Sequence, residues 1–229
     1  MPKLSVLVMA YNERNSLEAV CSEIEKTLVS LKTTFEIVII DDGSTDGSSE
    51  LCHRLAKKIP QLRTISHETN LGLSEVYRTG FKTAKGEWFT FFPADGQFPA
   101  SILVQFFEVS ENADLVLGYL ANGRFSLTGS LLSFLERAMY RLWIGEMPRF
   151  QGVFLSRRRL LEDIEPKTRG RGHCFILEFI LLASQKNYRI KHVKTPVRPR
   201  QSGKSKVSNL RTITSNISQV LKLRKTLRH

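Results

Sequence analysis

Three short polar clusters hold most of the residues in this 229-residue chain that could do chemistry. They are Tyr11-Asn12-Glu13, Asp41-Asp42-Gly43-Ser44-Thr45-Asp46 and Pro93-Ala94-Asp95-Gly96-Gln97-Phe98-Pro99. Any one of them is ordinary, because Asp, Asn, Gly and Ser favour turns and helix N-caps, and Asp46 by itself reads as such a cap. Taken together, the adjacent carboxylates Asp41 and Asp42 with Asp95 and Gln97 offer hard oxygen ligands suited to Mg2+ or Mn2+ held alongside substrate phosphates. That chemistry requires the clusters to meet, so the elements that carry them decide the matter.

Residues 4–9 and 35–40 are short β-branched runs of the kind buried in parallel sheets. Between them Leu17, Val20, Cys21, Ile24, Leu28 and Leu31 recur at helical spacing, and Asn15 with Glu18 is placed as a capping box. The product is a right-handed βαβ unit. The alternation continues with a helix over 45–59, a strand over 63–66, a helix over 73–84 and strands over 88–92 and 114–117. This predicts an α/β fold, an open and mostly parallel sheet flanked by helices, whose ligands sit beyond the carboxyl ends of the strands. Each polar cluster falls at such an end.

The character changes after Tyr119. Residues 125–144 are apolar and aromatic but broken by Glu136, Arg137 and Arg141, as in an amphipathic surface or lid helix. The tail from Val197 is basic and Ser-rich; Leu210, Ile213, Ile217, Val220 and Leu221 share one helical face there, near Lys222, Arg224, Lys225 and Arg228. The expected organisation is a catalytic domain over 1–198 and a basic segment over 199–229.

Lys and Arg exceed Asp and Glu by 34 − 22 = 12, which favours an anionic partner: nucleic acid, an acidic membrane surface or phosphate-bearing substrates. No helix-turn-helix, RNP-type or zinc pattern supports nucleic acid. No run reaches the ~18 apolar residues of a spanning helix, and the most apolar stretch, 174–183, contains Glu178. With no signal-peptide pattern at the N-terminus, the expected location is cytoplasmic and peripheral, on the cytoplasmic face of a membrane. Cys21, Cys52 and Cys174 are too few and too scattered for a disulfide framework or zinc site and read as reduced, buried side chains. The five histidines show no metal spacing.

Four blocks occur in order: Val8-Met9-Ala10-Tyr11-Asn12-Glu13, the run Asp41 to Gly47, Asn70-Leu71-Gly72-Leu73 followed by Gly80, Ala84 and Gly86, and Arg200-Gln201-Ser202-Gly203-Lys204-Ser205-Lys206. On them the chain resembles the family-2 glycosyltransferases of the GT-A fold, and within these the polyprenyl-phosphate (dolichol-phosphate) sugar synthases. The last block looks like the Arg-x-x-Gly-x-Ser-Lys signature of that lipid-phosphate branch.

The resemblance implies that Tyr11, Glu13 and Asp41 or Asp42 contact base and ribose of a UDP- or GDP-sugar. Asp95 and Gln97 would hold Mg2+ or Mn2+ bridging the diphosphate. It further implies a polyprenyl phosphate acceptor, with Asp95, Arg200 and Lys204 acting in catalysis and Arg200, Ser205, Lys206, Arg124 and Arg137 meeting the lipid phosphate. Glu178 matches a family glutamate and reads as a partner for an arginine. Two positions depart from the family: Pro93 stands where the first Asp of Asp-Ala-Asp-x-Gln is usual, and Ala10 replaces a proline. A phosphate acceptor, already anionic with a second pKa near ~6, needs alignment and charge shielding more than a general base. Remaining readings are a transferase acting on a hydroxyl and a non-catalytic sugar-nucleotide binder. A membrane surface, a membrane-protein partner or a second copy of the chain complete the expected partners.

Overall fold

The computed structural model describes residues 1–120, 148–150, 152–169 and 171–199. Seven strands form one sheet: β1 (Leu4–Ala10), β2 (Phe35–Asp41), β3 (Leu62–Ser66), β4 (Trp88–Pro93), β5 (Leu115–Leu120), β6 (Phe154–Arg157) and β7 (Ile190–Thr195). Among the described residues six helices accompany them: α1 (Leu17–Ser30), α2 (Ser48–Lys58), α3 (Leu73–Thr83), α4 (Ile102–Ser110), α5 (Leu160–Asp163) and α6 (Cys174–Gln185). The strand order is β3-β2-β1-β4-β6-β5-β7. All neighbours run parallel except β6, which is antiparallel to both β4 and β5.

The two faces of β1 explain the layering. Val6 and Val8 face one core, together with Leu17, Val20, Cys21, Ile24 and Leu28 of α1, Leu51 and Leu55 of α2, and Leu103 and Phe106 of α4. Leu7 faces the other, with Val76 and Tyr77 of α3, Leu160 of α5, and Phe175, Phe179 and Ile180 of α6. Period-2 alternation sends successive side chains to opposite layers, so a strand apolar at nearly every position must be covered on both sides. The second layer is aromatic: Phe81, Phe89, Phe91, Phe154, Phe175 and Phe179 pack with centroids 4.9–6.4 Å apart. Full burial of each such ring is worth about 1.5–3 kcal/mol, which fixes α6 across β4 and β6.

Local details differ from the expected pattern in three places. The helix α1 has no side-chain cap; the N–H groups of Ser16 and Leu17 both reach the Glu13 carbonyl, at 3.1 and 3.0 Å, so the Asn15–Glu18 box is not needed. The helix expected over 45–59 starts only at Ser48, because residues 44–46 are engaged with the loop after β1. Glu178, buried within α6, accepts the Thr168 N–H at 2.7 Å where an arginine partner was expected; Arg78 instead reaches the Thr168 carbonyl and stacks on Phe175. Cys21, Cys52 and Cys174 are buried, and no disulfide joins them. Among the described residues no helix is long and apolar enough to cross a membrane. The expected lid over 125–144 and the tail beyond Pro199 lie outside the described residues.

Candidate active site

The strands β2, β1 and β4 are consecutive in the sheet and parallel, so the loops that follow them leave from one edge. Register makes this concrete: Ala10 pairs with Asp41, and Met9 pairs with Pro93. The pairing continues past the strand ends, with the Asp42 N–H on the Ala10 carbonyl at 2.9 Å and the Ala94 N–H on the Met9 carbonyl at 3.0 Å. The three polar clusters therefore meet along one rim, with Tyr11-Asn12-Glu13 between the other two.

The first two clusters are stitched together. Asn12 adopts a left-handed backbone, φ 54°, which its short amide side chain tolerates. Its N–H donates to Ser44 Oγ at 2.9 Å, and its Oδ1 accepts the Thr45 N–H at 2.8 Å. The Glu13 N–H donates to Ser48 Oγ at 3.0 Å. Asp46 accepts from the Ser48 N–H and hydroxyl and from the Arg14 N–H, at the entrance to α2. Burial would raise the Asp46 carboxyl, but these hydrogen bonds outweigh it and hold the group below its ordinary value.

The adjacent carboxylates have different surroundings. Asp41 is fully buried and accepts from the Ser44 N–H and hydroxyl and from the Ser49 hydroxyl. Asp42 fills all four of its acceptor positions: His67 Nδ1 (2.8 Å) and the Leu71 N–H (2.9 Å) on Oδ1, Asn70 Nδ2 (2.9 Å) and the Gly72 N–H (2.8 Å) on Oδ2. His67 is held on its other side, Nε2 lying 2.9 Å from Thr79 Oγ1 of α3. A carboxylate so engaged organises the 67–72 segment.

At the other end of the rim, the Gln97 N–H donates to Asp95 Oδ1 at 3.1 Å, and Gly96 takes φ 73° to make the turn. The Gln97 carbonyl accepts the Arg198 N–H at 2.7 Å. The Arg198 guanidinium forks onto Glu23 of α1, at 2.9 and 3.1 Å, and Glu23 also accepts the Ala100 N–H at 3.0 Å. The C-terminal segment is thus fastened beside the Asp95 loop one residue before the description ends at Pro199. Arg200, Lys204, Ser205, Lys206, Arg124 and Arg137 lie outside the described residues.

Asp95 and Gln97 are hard oxygen donors separated by one turn, a set that fits a divalent ion whose remaining ligands are phosphate oxygens and water. Among the described residues no group of three or more His, Cys, Asp or Glu side chains could hold a metal. Pro93 has a structural licence to stand where it does. Since the Ala94 N–H faces β1, the Pro93 nitrogen faces the β6 side, where pairing ends at Thr90 with Leu155. No ladder bond is lost.

His67, Arg171, Glu23 and Arg198 were not singled out from the sequence. His67 and Glu23 carry no local signal. Arg171 carries one, the alternation of Arg and Gly in the sequence Arg169-Gly170-Arg171-Gly172 just before an apolar run, and Arg198 sits in the basic run after a strand.

An open, mostly parallel α/β sheet with carboxylates and a Gln gathered at one rim is the class of protein that the fold and site define. The chain belongs to glycosyl transferase family 2, whose family profile matches residues 5–165. Dolichol-phosphate mannosyltransferase of Pyrococcus furiosus is 27% identical over 233 residues, covering 97% of this chain and 64% of that protein. Undecaprenyl-phosphate 4-deoxy-4-formamido-L-arabinose transferase of Aeromonas hydrophila is 32% identical over 122 residues, covering 53% of this chain and 37% of that protein. The chain thus spans less than two thirds of the length of these relatives.

Among solved structures, glucosyl-3-phosphoglycerate synthase of Mycobacterium tuberculosis, in complex with Mn2+, UDP-glucose and phosphoglyceric acid, matches with a TM-score of 0.73 at 19% identity, covering 98% of this chain and 80% of that one. A mannosyltransferase of Pyrobaculum calidifontis in complex with GDP-mannose and Mn2+ matches with a TM-score of 0.64 at 18% identity, covering 98% and 73%. The fold is GT-A, and the family is glycosyl transferase family 2.

Proposed function

We propose that this chain moves a sugar from a nucleotide-sugar donor to a polyprenyl phosphate, in one displacement with inversion at the anomeric carbon. An acceptor phosphate oxygen forms the new bond to that carbon as the bond to the nucleoside diphosphate breaks. No proton has to be removed from the acceptor, because its phosphate is already ionised at neutral pH, with a second pKa near ~6. The protein's task is alignment and charge shielding.

In this reading Tyr11 and Glu13 line the base and ribose, Asp41 braces the turn behind them through Ser44 and Ser49, and Asp42 shapes their surroundings by holding the 67–72 segment. Asp95 and Gln97 would hold Mg2+ or Mn2+, which, when bound, neutralises charge developing on the leaving diphosphate. Arg200 and Lys204, with Ser205, Lys206, Arg124 and Arg137, would receive the acceptor phosphate. The basic tail would lie on an anionic bilayer surface, each Lys or Arg near it contributing about 1 kcal/mol.

The observation that supports this reading is the fastening of Arg198 to Gln97 and Glu23, which holds the described chain beside the Asp95 loop two positions before Arg200 in the sequence. The named activities of the Pyrococcus and Aeromonas relatives, both acting on polyprenyl phosphates, support the acceptor class. The test is incubation with UDP- and GDP-sugars, Mn2+ and either undecaprenyl or dolichyl phosphate, with lipid-linked sugar detected by mass spectrometry. Turnover confined to hydroxyl acceptors would reject the acceptor, and metal-independent nucleotide binding without any turnover would reject catalysis.

A further inference from the structure

The turn before α6 brings a cation to the 67–72 segment. Its backbone is docked there: the Arg171 carbonyl accepts the Leu73 N–H at 2.9 Å, and the Gly172 carbonyl accepts the Ser74 hydroxyl at 2.6 Å. Gly72, at φ +94°, lets the two stretches close, since a Cβ there would lie 2.8 Å from the Cβ and carbonyl oxygen of Arg171. The side chain is exposed, and its Nη2 donates to Asn70 Oδ1. Asn70 in turn donates through Nδ2 to Asp42 Oδ2 at 2.9 Å. The amide has no choice of orientation: with its NH2 on a carboxylate, its oxygen must face the guanidinium.

That arrangement adds little to stability. A hydrogen bond to a neutral amide roughly offsets the rotamer entropy that an exposed arginine loses on being held. Arg171 forms no ion pair with any described residue. A guanidinium has five N–H donors in a planar fork, and the one on Asn70 leaves an edge suited to two anionic oxygens. Asp42, which aims the relay, is the same residue that continues β2 into the rim.

We propose that Arg171 binds a phosphate at this site, its guanidinium aimed by the Asp42–Asn70 relay. The inference rests on the nucleotide-sugar reading above. The oxygens belong either to the donor diphosphate or to the acceptor phosphomonoester, and a fork on two phosphate oxygens is common to both.

Calorimetry on the full chain and on its Arg171→Ala and Arg171→Lys variants tests this, using UDP and GDP, their monophosphates and the bare nucleosides, with Mn2+ present. Rates against undecaprenyl phosphate at saturating donor complete the set. Arg171→Ala is expected to weaken UDP or GDP binding at least fivefold with nucleoside binding unchanged, and the Lys variant to recover part of the loss. If instead the KM for undecaprenyl phosphate rises by a similar factor while nucleotide Kd stays fixed, the phosphate is the acceptor's. Should Arg171→Ala fail to fold, Arg171→Lys carries the test, with at least a twofold loss expected on the same phosphate ligand. Equal weakening of nucleoside and diphosphate, or no change in any constant, would overturn the proposal. A wild-type chain that binds neither UDP nor GDP would reject the nucleotide-sugar reading itself, an outcome distinct from variants that behave as wild type.

Discussion

Glu23 and Arg198, 175 positions apart, form a two-pronged ion pair at 2.9 and 3.1 Å that ties the end of the described chain to α1. The same carboxylate accepts the Ala100 N–H, so one side chain fastens the Asp95 loop and the C-terminal segment together. Both partners are partly exposed, so the pair contributes at most about 1 kcal/mol to stability. Its effect is on position.

Removing the Arg198 guanidinium should therefore leave the fold intact and loosen the approach of the Arg200 to Lys206 run. For Arg198→Ala we expect an unfolding free energy within about 1 kcal/mol of wild type and a KM for undecaprenyl phosphate raised several-fold. UDP or GDP affinity should be unchanged. Parallel loss of nucleotide affinity would show that the pair supports the Asp95 loop alone.

Gly72 should tolerate no side chain. Its backbone, φ 94° and ψ 167°, lies in a region open almost only to glycine, and a Cβ would press on Arg171. Gly72→Ala is expected to cost about 2 kcal/mol or more and to lower the thermal midpoint by about 4–8 °C for a chain of this size. Differential scanning calorimetry would read it, and an unchanged midpoint would contradict the close approach of the two segments.

Metal binding should depend on nucleotide. With Asp95 and Gln97 as the proposed protein ligands, Mn2+ alone should bind weakly, and UDP or GDP should tighten it by adding phosphate oxygens. Asp95→Ala should remove the metal dependence of nucleotide binding without unfolding the chain. Pro93→Asp adds a carboxylate two residues from Asp95 at a position with no ladder bond to lose, and should raise the affinity for Mn2+ alone roughly tenfold. Calorimetric titration with Mn2+ checks all three.

Asp114, at the sheet edge opposite the rim, should govern acid stability. Burial pushes its carboxyl up, but hydrogen bonds from the Arg189 side chain and N–H and from Arg159 outweigh it, leaving a pKa of about 2 against an ordinary 3.8. The folded value is depressed, so this contribution is present in full above the ordinary value and is lost as pH falls from about 4 towards 2. Urea midpoints measured across that window should fall less steeply for Asp114→Asn than for wild type; equal slopes would remove Asp114 as the cause.

Much of the fold and the rim was legible from local pattern. The strands around β1, β2 and β4 announce themselves as β-branched or aromatic runs buried on both faces, and α1 by its apolar positions at Leu17, Val20, Cys21, Ile24 and Leu28. In a parallel α/β sheet all carboxyl ends share one edge, so residues at 11–13, 41–46 and 93–99 could be assigned to a common rim before any contact was known.

What the tertiary structure alone decided is which donor meets which acceptor. Asp42 is engaged with His67, Asn70, Leu71 and Gly72, Glu178 meets a backbone N–H in place of an arginine, and β6 runs against its neighbours. Arg171 reaches Asn70 across 101 positions. Periodicity records the face a side chain takes and the element it sits in. A hydrogen bond between remote residues depends on strand order and on how two loops close, and those are set by the packing of the whole sheet between its helices.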